Sequence, residues 1–300
     1  MNTNVLFLKK IQILQISHIF QHEKYYFFNL CKMKKLIFLF SLLFLLISFD
    51  SLAQDSLSLA AKYFFHKAFN STDYKEQIDN YTKCIEINAD NAKAHYNRGV
   101  AYYNSGNKKL AISDYTKAIE INPEYANAYY NRGLAYSDIG NYKLSINDYS
   151  NAIKMNPEYS LAYYNKGNIY RDLGKYKLAI DNYSSAINID NKNISAYYSR
   201  GNIYSKLGKY KLAIEDFSNS IRINPNHTNS YSNRGNAYYV LGKYKLAIQD
   251  YSSAIKLDPN CTSAYYNRGS AKLLLDLEYC NDFKTACNLG RCKRYYTFCK

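Results

Sequence analysis

The chain has 300 residues, of which 47% are hydrophobic, and carries a net charge of +15 at pH 7. This length is ample for one continuous repeat core, and no break in composition marks a second domain. Its five histidines lie in no metalloprotease, nucleophile-elbow, phosphate-loop or dinucleotide-binding motif. The sequence therefore predicts a protein that is not an enzyme and that uses neither a cofactor nor a metal.

Residues 33–53 have the features of a bacterial secretory signal peptide. Lys34 and Lys35 precede the apolar stretch 36–49, and small residues follow up to Ala53, which is the order of such signals. We expect cleavage near Ala53, with export to the periplasm, the cell surface or the medium. The apolar stretch is too short to span a bilayer comfortably, and no cysteine follows the cleavage position to carry a lipid anchor.

Residues 1–32 precede this signal. Because a signal peptide normally begins at the start methionine, we expect translation to begin at Met33 and residues 1–32 to be an upstream extension. A long, genuine leader is the alternative.

The rest of the chain repeats with a period of 34 residues, and eleven of its twelve glycines follow this period. Five full copies occupy 92–125, 126–159, 160–193, 194–227 and 228–261, and we number positions 1 to 34 within each copy. A degenerate copy is expected at 54–91, and a second one with a cysteine-rich cap at 262–300. A fixed period of this length is typical of a repeat array. Glycine recurs at position 8 (Gly99, Gly133, Gly167, Gly201, Gly235, Gly269) and at position 15 (Gly106, Gly140, Gly174, Gly208, Gly242).

Each copy is predicted to form two helices. Apolar and small residues fall at positions 3, 4, 8, 10 and 11, and again at 20, 21, 24, 27 and 28, which are helical spacings. Glycine at position 15 can end the first helix, and proline at position 32 cannot continue the second. Glycine at position 8 lies inside a helix, where it indicates close packing. We expect the alanines at positions 20 and 27 to face it.

These positions together resemble the tetratricopeptide repeat, over about residues 58–290. The shared pattern is an aromatic residue at 4, glycine at 8, tyrosine at 11, alanine at 20, an aromatic residue at 24, alanine at 27 and proline at 32. The resemblance implies an all-α, right-handed superhelical solenoid of about seven helix-turn-helix repeats with a C-terminal capping helix. It also implies that the first helices line a concave groove, which in this family binds proteins or peptides. The family's carboxylate clamp is not found.

Asparagine and tyrosine recur on the predicted groove face. Asparagine offers a donor and an acceptor to an extended peptide, and tyrosine adds flat contact area. This pattern resembles the asparagine ladder of peptide-binding members of the family, although the same asparagines could instead bond a neighbouring helix and set the superhelical twist. The ladder comprises Asn97, Asn131, Asn165, Asn233 and Asn267 at position 6, Tyr96, Tyr130, Tyr164, Tyr198 and Tyr266 at position 5, and Asn168, Asn202 and Asn236 at position 9.

Two charged series also follow the period. Basic residues at position 7 and aspartates at position 23 are expected to pair between packed helices, as part of the scaffold. Lysines near the turn within each copy form a basic edge, which is either a solvated face or a binding site for acidic polymer. The lysine edge comprises Lys109, Lys143, Lys175, Lys177, Lys209, Lys211, Lys243 and Lys245.

Four cysteines cluster at the end of the chain. In a helical hairpin that turns at Leu289-Gly290, Cys280 would face Cys299 and Cys287 would face Cys292. Disulfides persist in the compartments that exported proteins reach, so we expect at least one bridge, with Cys280–Cys299 favoured. Free thiols and a zinc site are the alternatives, although no C-x2-C pair of the kind that zinc favours is present.

The sequence thus predicts an exported, non-enzymatic scaffold that binds a protein or peptide segment in the concave groove. A binder of acidic polymer or membrane surface through the lysine edge is the alternative, and a structural spacer in an envelope complex is a third possibility. Export argues against nucleic acid as a partner. We expect a monomer or one component of an envelope complex.

Overall fold

The computed structural model describes residue 33, residues 35–36 and 38–44, and all of residues 54–300. The predicted extension 1–32 and the predicted cleavage position at Ala53 lie outside the described residues. Those described between 33 and 44 are helical. No helix in the described parts of the chain has both the length and the apolar character needed to cross a membrane.

The chain forms two compact units. One consists of the described residues up to Ser71 together with Asp79–Ala89, and the other of Thr72–Ile78 together with Asp90–Lys300. The described residues from 54 to 300 form fifteen helices and no strand. The helices are α1 (54–70), α2 (Tyr74–Ile87), α3 (Ala92–Asn104), α4 (Lys108–Ile121), α5 (Ala126–Asp138), α6 (Tyr142–Met155), α7 (Ser160–Asp172), α8 (Tyr176–Ile189), α9 (Ile194–Lys206), α10 (Tyr210–Ile223), α11 (Thr228–Val240), α12 (Tyr244–Leu257), α13 (Thr262–Leu273), α14 (Cys280–Asn288) and α15 (Lys293–Phe298).

The helix ends follow from the residues that the period places there. The glycines at position 15 have φ between +70° and +88°, a left-handed conformation that glycine adopts without a steric penalty. The second helix of each full copy ends at an asparagine or aspartate at position 31 in extended conformation. Its side-chain oxygen accepts the backbone N–H two residues on, as from Glu124 to Asn122 at 3.1 Å. These Asx turns redirect the chain into the next copy.

In the second unit, consecutive helices pack against each other from α3 to α15. Each first helix also contacts the first helix of the next copy, from α3 with α5 through to α11 with α13. The first helices are therefore the more closely spaced layer, which lies on the inner side of a curved stack. The described residues confirm the predicted all-α solenoid of helix-turn-helix repeats.

Alanines and aromatic rings form the core of the second unit. The alanines at positions 20 and 27 of its full copies are fully buried, and so is the ring at position 24 of each copy. The position 20 alanine does lie beside the position 8 glycine at Gly99, where a Cβ atom would be 3.3 Å from the backbone oxygen of Ala111, but the ring at position 24 lies closer. A Cβ atom placed on Gly99 would lie 2.8 Å from Cε1 of Tyr115, and one on Gly167 would lie 2.8 Å from Cε1 of Tyr183. Glycine at position 8 makes room for the position 24 ring, which packs against the first helix.

The first unit carries a different pairing at the same place. Phe65 of α1 replaces the glycine, and its ring centroid lies 5.5 Å from that of Tyr81, in an edge-to-face arrangement. Tyr81 is buried. An aromatic pair thus occupies the position that a glycine and a ring occupy elsewhere.

The last copy is two residues shorter between its two helices. The chain between α13 and α14 includes Asp276 with φ of +55°, and Phe283 then occupies the position 24 role against Gly269, with a ring carbon 2.7 Å from a Cβ placed there. The connecting loop therefore absorbs the slip in register and keeps the core contact.

Candidate peptide-binding surface

The thirteen residues of the predicted ladder lie on the first helices and are all partly exposed. Because the first helices form the inner layer, these side chains share its open face. The structure brings most of them together in one row, and their hydrogen bonds connect successive copies.

In the first half of the row, asparagine at position 6 bonds tyrosine at position 5 of the preceding copy. Asn131 Nδ2 donates to Tyr96 Oη at 2.9 Å, and Asn165 Nδ2 donates to Tyr130 Oη at 2.9 Å. Each such bond uses one of the two amide hydrogens, so one donor and the amide oxygen stay available. The asparagines therefore couple neighbouring repeats and also retain hydrogen-bonding groups for a ligand.

The second half of the row depends on amide–amide bonds. Asn233 Nδ2 donates to Asn202 Oδ1 at 2.8 Å and to Tyr198 Oη at 3.2 Å. Asn267 Nδ2 donates to Asn236 Oδ1 at 2.9 Å. Ser199, which interrupts the asparagine series, is buried. The amides at position 9 of α9 and α11 thus become partners of the position 6 amides on α11 and α13.

The position 5 tyrosines rest on a second set of aromatic residues. Tyr130 stacks on Tyr159 with ring centroids 4.8 Å apart, and Tyr96 lies 4.9 Å from Tyr125. Burial raises the pKa of Tyr96 and of Tyr130 by more than their asparagine hydrogen bonds lower it. Both hydroxyl groups are therefore neutral at physiological pH, where each can accept from an asparagine. Sequence reasoning missed these partners at position 34, although their recurrence in two copies was a visible signal.

One predicted ladder residue lies apart from the others. The C-terminal cap covers Tyr266, whose ring has the Arg291 guanidinium 3.6 Å from its centroid. Arg294 Nε also donates to Tyr266 Oη at 3.1 Å. The row of accessible tyrosines therefore ends before α13.

Behind the row, arginine at position 7 pairs with aspartate on the second helix of the same copy. Arg132 reaches both oxygens of Asp148, at 2.8 and 2.9 Å, and Arg132 Nη1 donates to Thr116 of the preceding second helix at 2.9 Å. The Asp148 side chain is only 2% exposed. Five such arginine–aspartate pairs occur in the described residues: Arg98–Asp114, Arg132–Asp148, Arg200–Asp216, Arg234–Asp250 and Arg268–Asp282.

The copy at 160–193 lacks this pair because Lys166 and Asn182 replace both partners. Within the described residues, the Lys166 side chain has neither a hydrogen bond nor an ion pair. Burial lowers the pKa of Lys166, and Asn182 Nδ2 donates to the backbone oxygen of Leu178 at 2.7 Å. This copy is therefore joined to its neighbours by fewer polar contacts.

The lysine edge lies at the turns between the first and second helices. All eight of its lysines are exposed, and none forms an ion pair with another described residue. The edge is thus a row of solvated cations that is separate from the asparagine row.

The four C-terminal cysteines are joined in two pairs. Cys280 is bonded to Cys299, with Cα atoms 5.6 Å apart, and Cys287 is bonded to Cys292, with Cα atoms 3.9 Å apart. These are the pairs that the predicted hairpin brings together, and Gly290 makes its turn with φ of +96°. Cys84 is a buried free thiol, and Cys261 is a partly buried one. The described residues contain no cluster of three or more acidic, histidine or cysteine side chains suited to a metal ion.

The architecture and the recurring residues together define a helical repeat solenoid. A family model described as "TPR repeat" matches residues 72–106 and 167–208. Two models described as "Tetratricopeptide repeat" match residues 92–125, 126–159, 194–227 and 228–261, and residues 149–181. The matched segments together run from 72 to 261. The chain belongs to the tetratricopeptide repeat family. It has no match among curated proteins.

Solved structures share this fold at low sequence identity. The C-terminal part of a tetratricopeptide repeat protein from Cytophaga hutchinsonii is 19% identical, with a TM-score of 0.64 over 77% of this chain and 95% of that one. A tetratricopeptide repeat protein from Parabacteroides merdae is 21% identical, with a TM-score of 0.56 over 77% and 94%. YrrB, described as having an unusual peptide-binding site, is 24% identical, with a TM-score of 0.55 over 62% and 96%.

Proposed function

We propose that this protein is a non-enzymatic interaction scaffold that binds an extended peptide segment along the asparagine row of its first helices. The observation that carries the proposal is the pairing of four position 6 asparagines, Asn131, Asn165, Asn233 and Asn267, with the preceding copy. Asn131 and Asn165 are held in place by bonds to tyrosine hydroxyls, and each keeps one amide hydrogen and its amide oxygen. Asn233 donates to both Tyr198 and Asn202, so its remaining capacity lies at its oxygen. A ligand that binds groups already fixed in position avoids much of the entropy cost of ordering them.

The spacing of the row also fits an extended chain. Packed helices lie about 8–10 Å apart, and three residues of an extended strand span about 10 Å. One asparagine could therefore meet about every third residue of a bound peptide and pair with its backbone. Peptide binding is also a property of YrrB, a protein of the same fold.

The test uses a random-peptide display library as the probe, with two matched triple variants of the full chain. In the first variant, Asn131, Asn165 and Asn233 become alanine. In the second, their partners Tyr96, Tyr130 and Tyr198 become phenylalanine. Both variants lose the three asparagine–tyrosine bonds between repeats. Only the first also loses the asparagine amides, and with them the bond from Asn233 to Asn202.

We expect the wild type to enrich peptides that the asparagine variant binds at least tenfold more weakly, because about three hydrogen bonds of roughly 0.5–1.5 kcal/mol each are lost. The tyrosine variant should bind within about threefold of the wild type, since its amides stay in place. Equal losses in the two variants would assign the asparagines a purely structural role. The absence of any enriched peptide would refute the proposed function.

We also propose that the mature protein is exported after removal of residues 33–53. The disulfide-bonded cap supports this location, because such bonds persist in oxidising compartments. Mass spectrometry of the precursor with cleavage blocked, and of the mature protein under non-reducing conditions, tests both the start at Met33 and the two bridges. A peptide from residues 1–32, or four free C-terminal thiols, would contradict the corresponding part of this proposal.

The exposure of all eight edge lysines favours a second candidate function, the binding of an acidic polymer along the lysine edge. The two functions differ in their dependence on salt. Polymer binding should weaken steeply as salt concentration rises, because it depends on screened charges, whereas binding to the asparagine row should change little. Titrations at low and high salt with polyglutamate and with an enriched peptide separate them.

A further inference from the structure

Comparison of equivalent positions in successive copies identifies residues that packing does not require. Copies of one unit share one packing environment, so positions on the open face that vary among the copies are not fixed by packing. Arg171 and Lys206 are cationic departures from the other copies at two such positions, and they lie in neighbouring copies. Position 12 reads Tyr103, Ser137, Arg171, Ser205 and Tyr239, and position 13 reads Asn104, Asp138, Asp172, Lys206 and Val240.

Both departures line the same cavity. A cavity of about 280 Å³ opens between the end of α7, the start of α8 and the end of α9, lined by Arg171, Asp172, Tyr176, Asn202, Ile203 and Lys206. Asn202 is a member of the asparagine row and accepts from Asn233 at 2.8 Å. The cavity is therefore continuous with the proposed peptide-binding row.

Hydrogen-bond donors exceed acceptors in this cavity. Arg171 Nε donates to Asp172 at 2.9 Å and Arg171 Nη1 donates to Asn168 at 3.3 Å. Nothing in the described part of the chain accepts from Arg171 Nη2 or from the Lys206 ammonium group. The Lys206 nitrogen lies 5.0 Å from the centroid of the Tyr176 ring. These two groups can donate hydrogen bonds to an anion.

The chemistry of the walls selects among anions. Arg171 and Lys206 carry two positive charges and Asp172 carries one negative charge, so the net charge suits a single carboxylate. The Asp172 carboxylate would repel a doubly charged phosphate more strongly than a carboxylate. Ile203 and Tyr176 add apolar surface, which suits the methylene groups of an amino-acid side chain.

We propose that this cavity is a specificity subsite for an aspartate or glutamate side chain of the peptide bound along the asparagine row. The inference rests on the proposed function and adds to it the class of peptide that binds. The backbone of the peptide would pair with the row, and the acidic side chain would enter between α7 and α9 to reach Arg171 and Lys206.

The chain itself supplies conservative substitutions for the test. In the subsite variant, Arg171→Ser and Lys206→Asn introduce residues that occupy the same positions in other copies, as Ser137 and Asn104 do. In the control variant, Lys143→Gln and Lys245→Gln remove two positive charges from the lysine edge. The control detects any general attraction between a basic protein and an acidic peptide.

The random-peptide library is selected on each protein, and one enriched peptide is synthesised with glutamate or glutamine at the selected position. In the wild type and in the control variant, we expect the glutamate peptide to bind at least tenfold more tightly than the glutamine peptide. In the subsite variant this ratio should fall below about twofold, because the two partner charges are gone. A C-terminally amidated copy of the glutamate peptide should bind as tightly as the free acid.

Three results would overturn the proposal: equal binding of the two wild-type peptides, an equal loss of preference in the control variant, or dependence on the free C-terminus alone. Enriched peptides without an acidic preference would refute the subsite and leave the proposed function intact. A library from which the wild type enriches nothing would refute both.

Discussion

Substitution of Gly235 by alanine tests the packing of glycine against an aromatic ring. A Cβ atom on Gly235 would lie 2.8, 3.0 and 3.2 Å from three carbons of the Tyr251 ring, whereas carbon atoms in contact prefer about 3.5–4.0 Å. Tyr251 is 1% exposed, and its hydroxyl donates to Asn236 at 2.9 Å. The ring therefore has little freedom to move aside.

Two opposing effects determine how much Gly235→Ala changes the free energy of unfolding. Overpacking of this kind costs about 1–3 kcal/mol, and replacement of glycine by alanine within a helix recovers about 1 kcal/mol. We therefore expect Gly235→Ala to lower the free energy of unfolding by up to about 2 kcal/mol. In a Tyr251→Leu background the overpacking is absent, so the same substitution should stabilise the protein by about 1 kcal/mol.

Native-state hydrogen exchange of amides in 228–261 measures this local free energy, since repeat arrays need not unfold in one step. Urea unfolding followed by circular dichroism and tyrosine fluorescence provides a second measurement, because the chain has no tryptophan. The four proteins form a double-mutant cycle. A coupling energy below about 0.5 kcal/mol would mean that the ring and the glycine behave independently, and the packing argument would be refuted.

Two further predictions concern acid stability and the cap. Burial alone would raise the pKa of Asp114, but hydrogen bonds from Arg98 and His95 lower it below 3.8. The stabilisation that ionised Asp114 provides is therefore lost as the pH falls through this lower, folded-state pKa. The free energy of unfolding should thus fall more steeply below about pH 4 in the wild type than in Asp114→Asn, and equal slopes in urea titrations would contradict this. Replacing Cys280 and Cys299 by serine should weaken hydrogen-exchange protection in 280–299 by about 3 kcal/mol, from the lost loop closure. Protection in 92–227 should not change, and a loss there would mean that the cap stabilises the whole array.

The periodic features of this protein could be predicted from the sequence. Because each copy packs against nearly identical neighbours, the spacing of apolar residues indicates both helices, and Gly174 marks the end of the first. The same regularity identifies the row of asparagines and the expected pairing of position 7 with position 23. Such features depend on local chain geometry and on nearest neighbours, and both recur in the sequence.

Contacts that depend on the direction of side chains were harder to predict from the sequence. The alanines were expected opposite the position 8 glycines, but the atoms nearest to Gly167 belong to the ring of Tyr183. Periodicity alone does not show which of the two side chains lies closer. The contact of Arg291 with the ring of Tyr266 depends on a cap that breaks the period. The cavity beside Arg171 forms where three helix ends lie close together, and residue spacing in the sequence does not predict this arrangement.

The replacement of one arginine by Lys166 has a mechanical consequence. Arg132 and Arg200 each link their own second helix to the preceding one, whereas the interface of α6 with α7 and α8 has no such link from Lys166. We expect the solenoid to behave as two stiff segments joined at a compliant seam. When force is applied to its two ends, the interface of α6 with α7 and α8 should deform first. The curvature of the array would then change mainly at this interface.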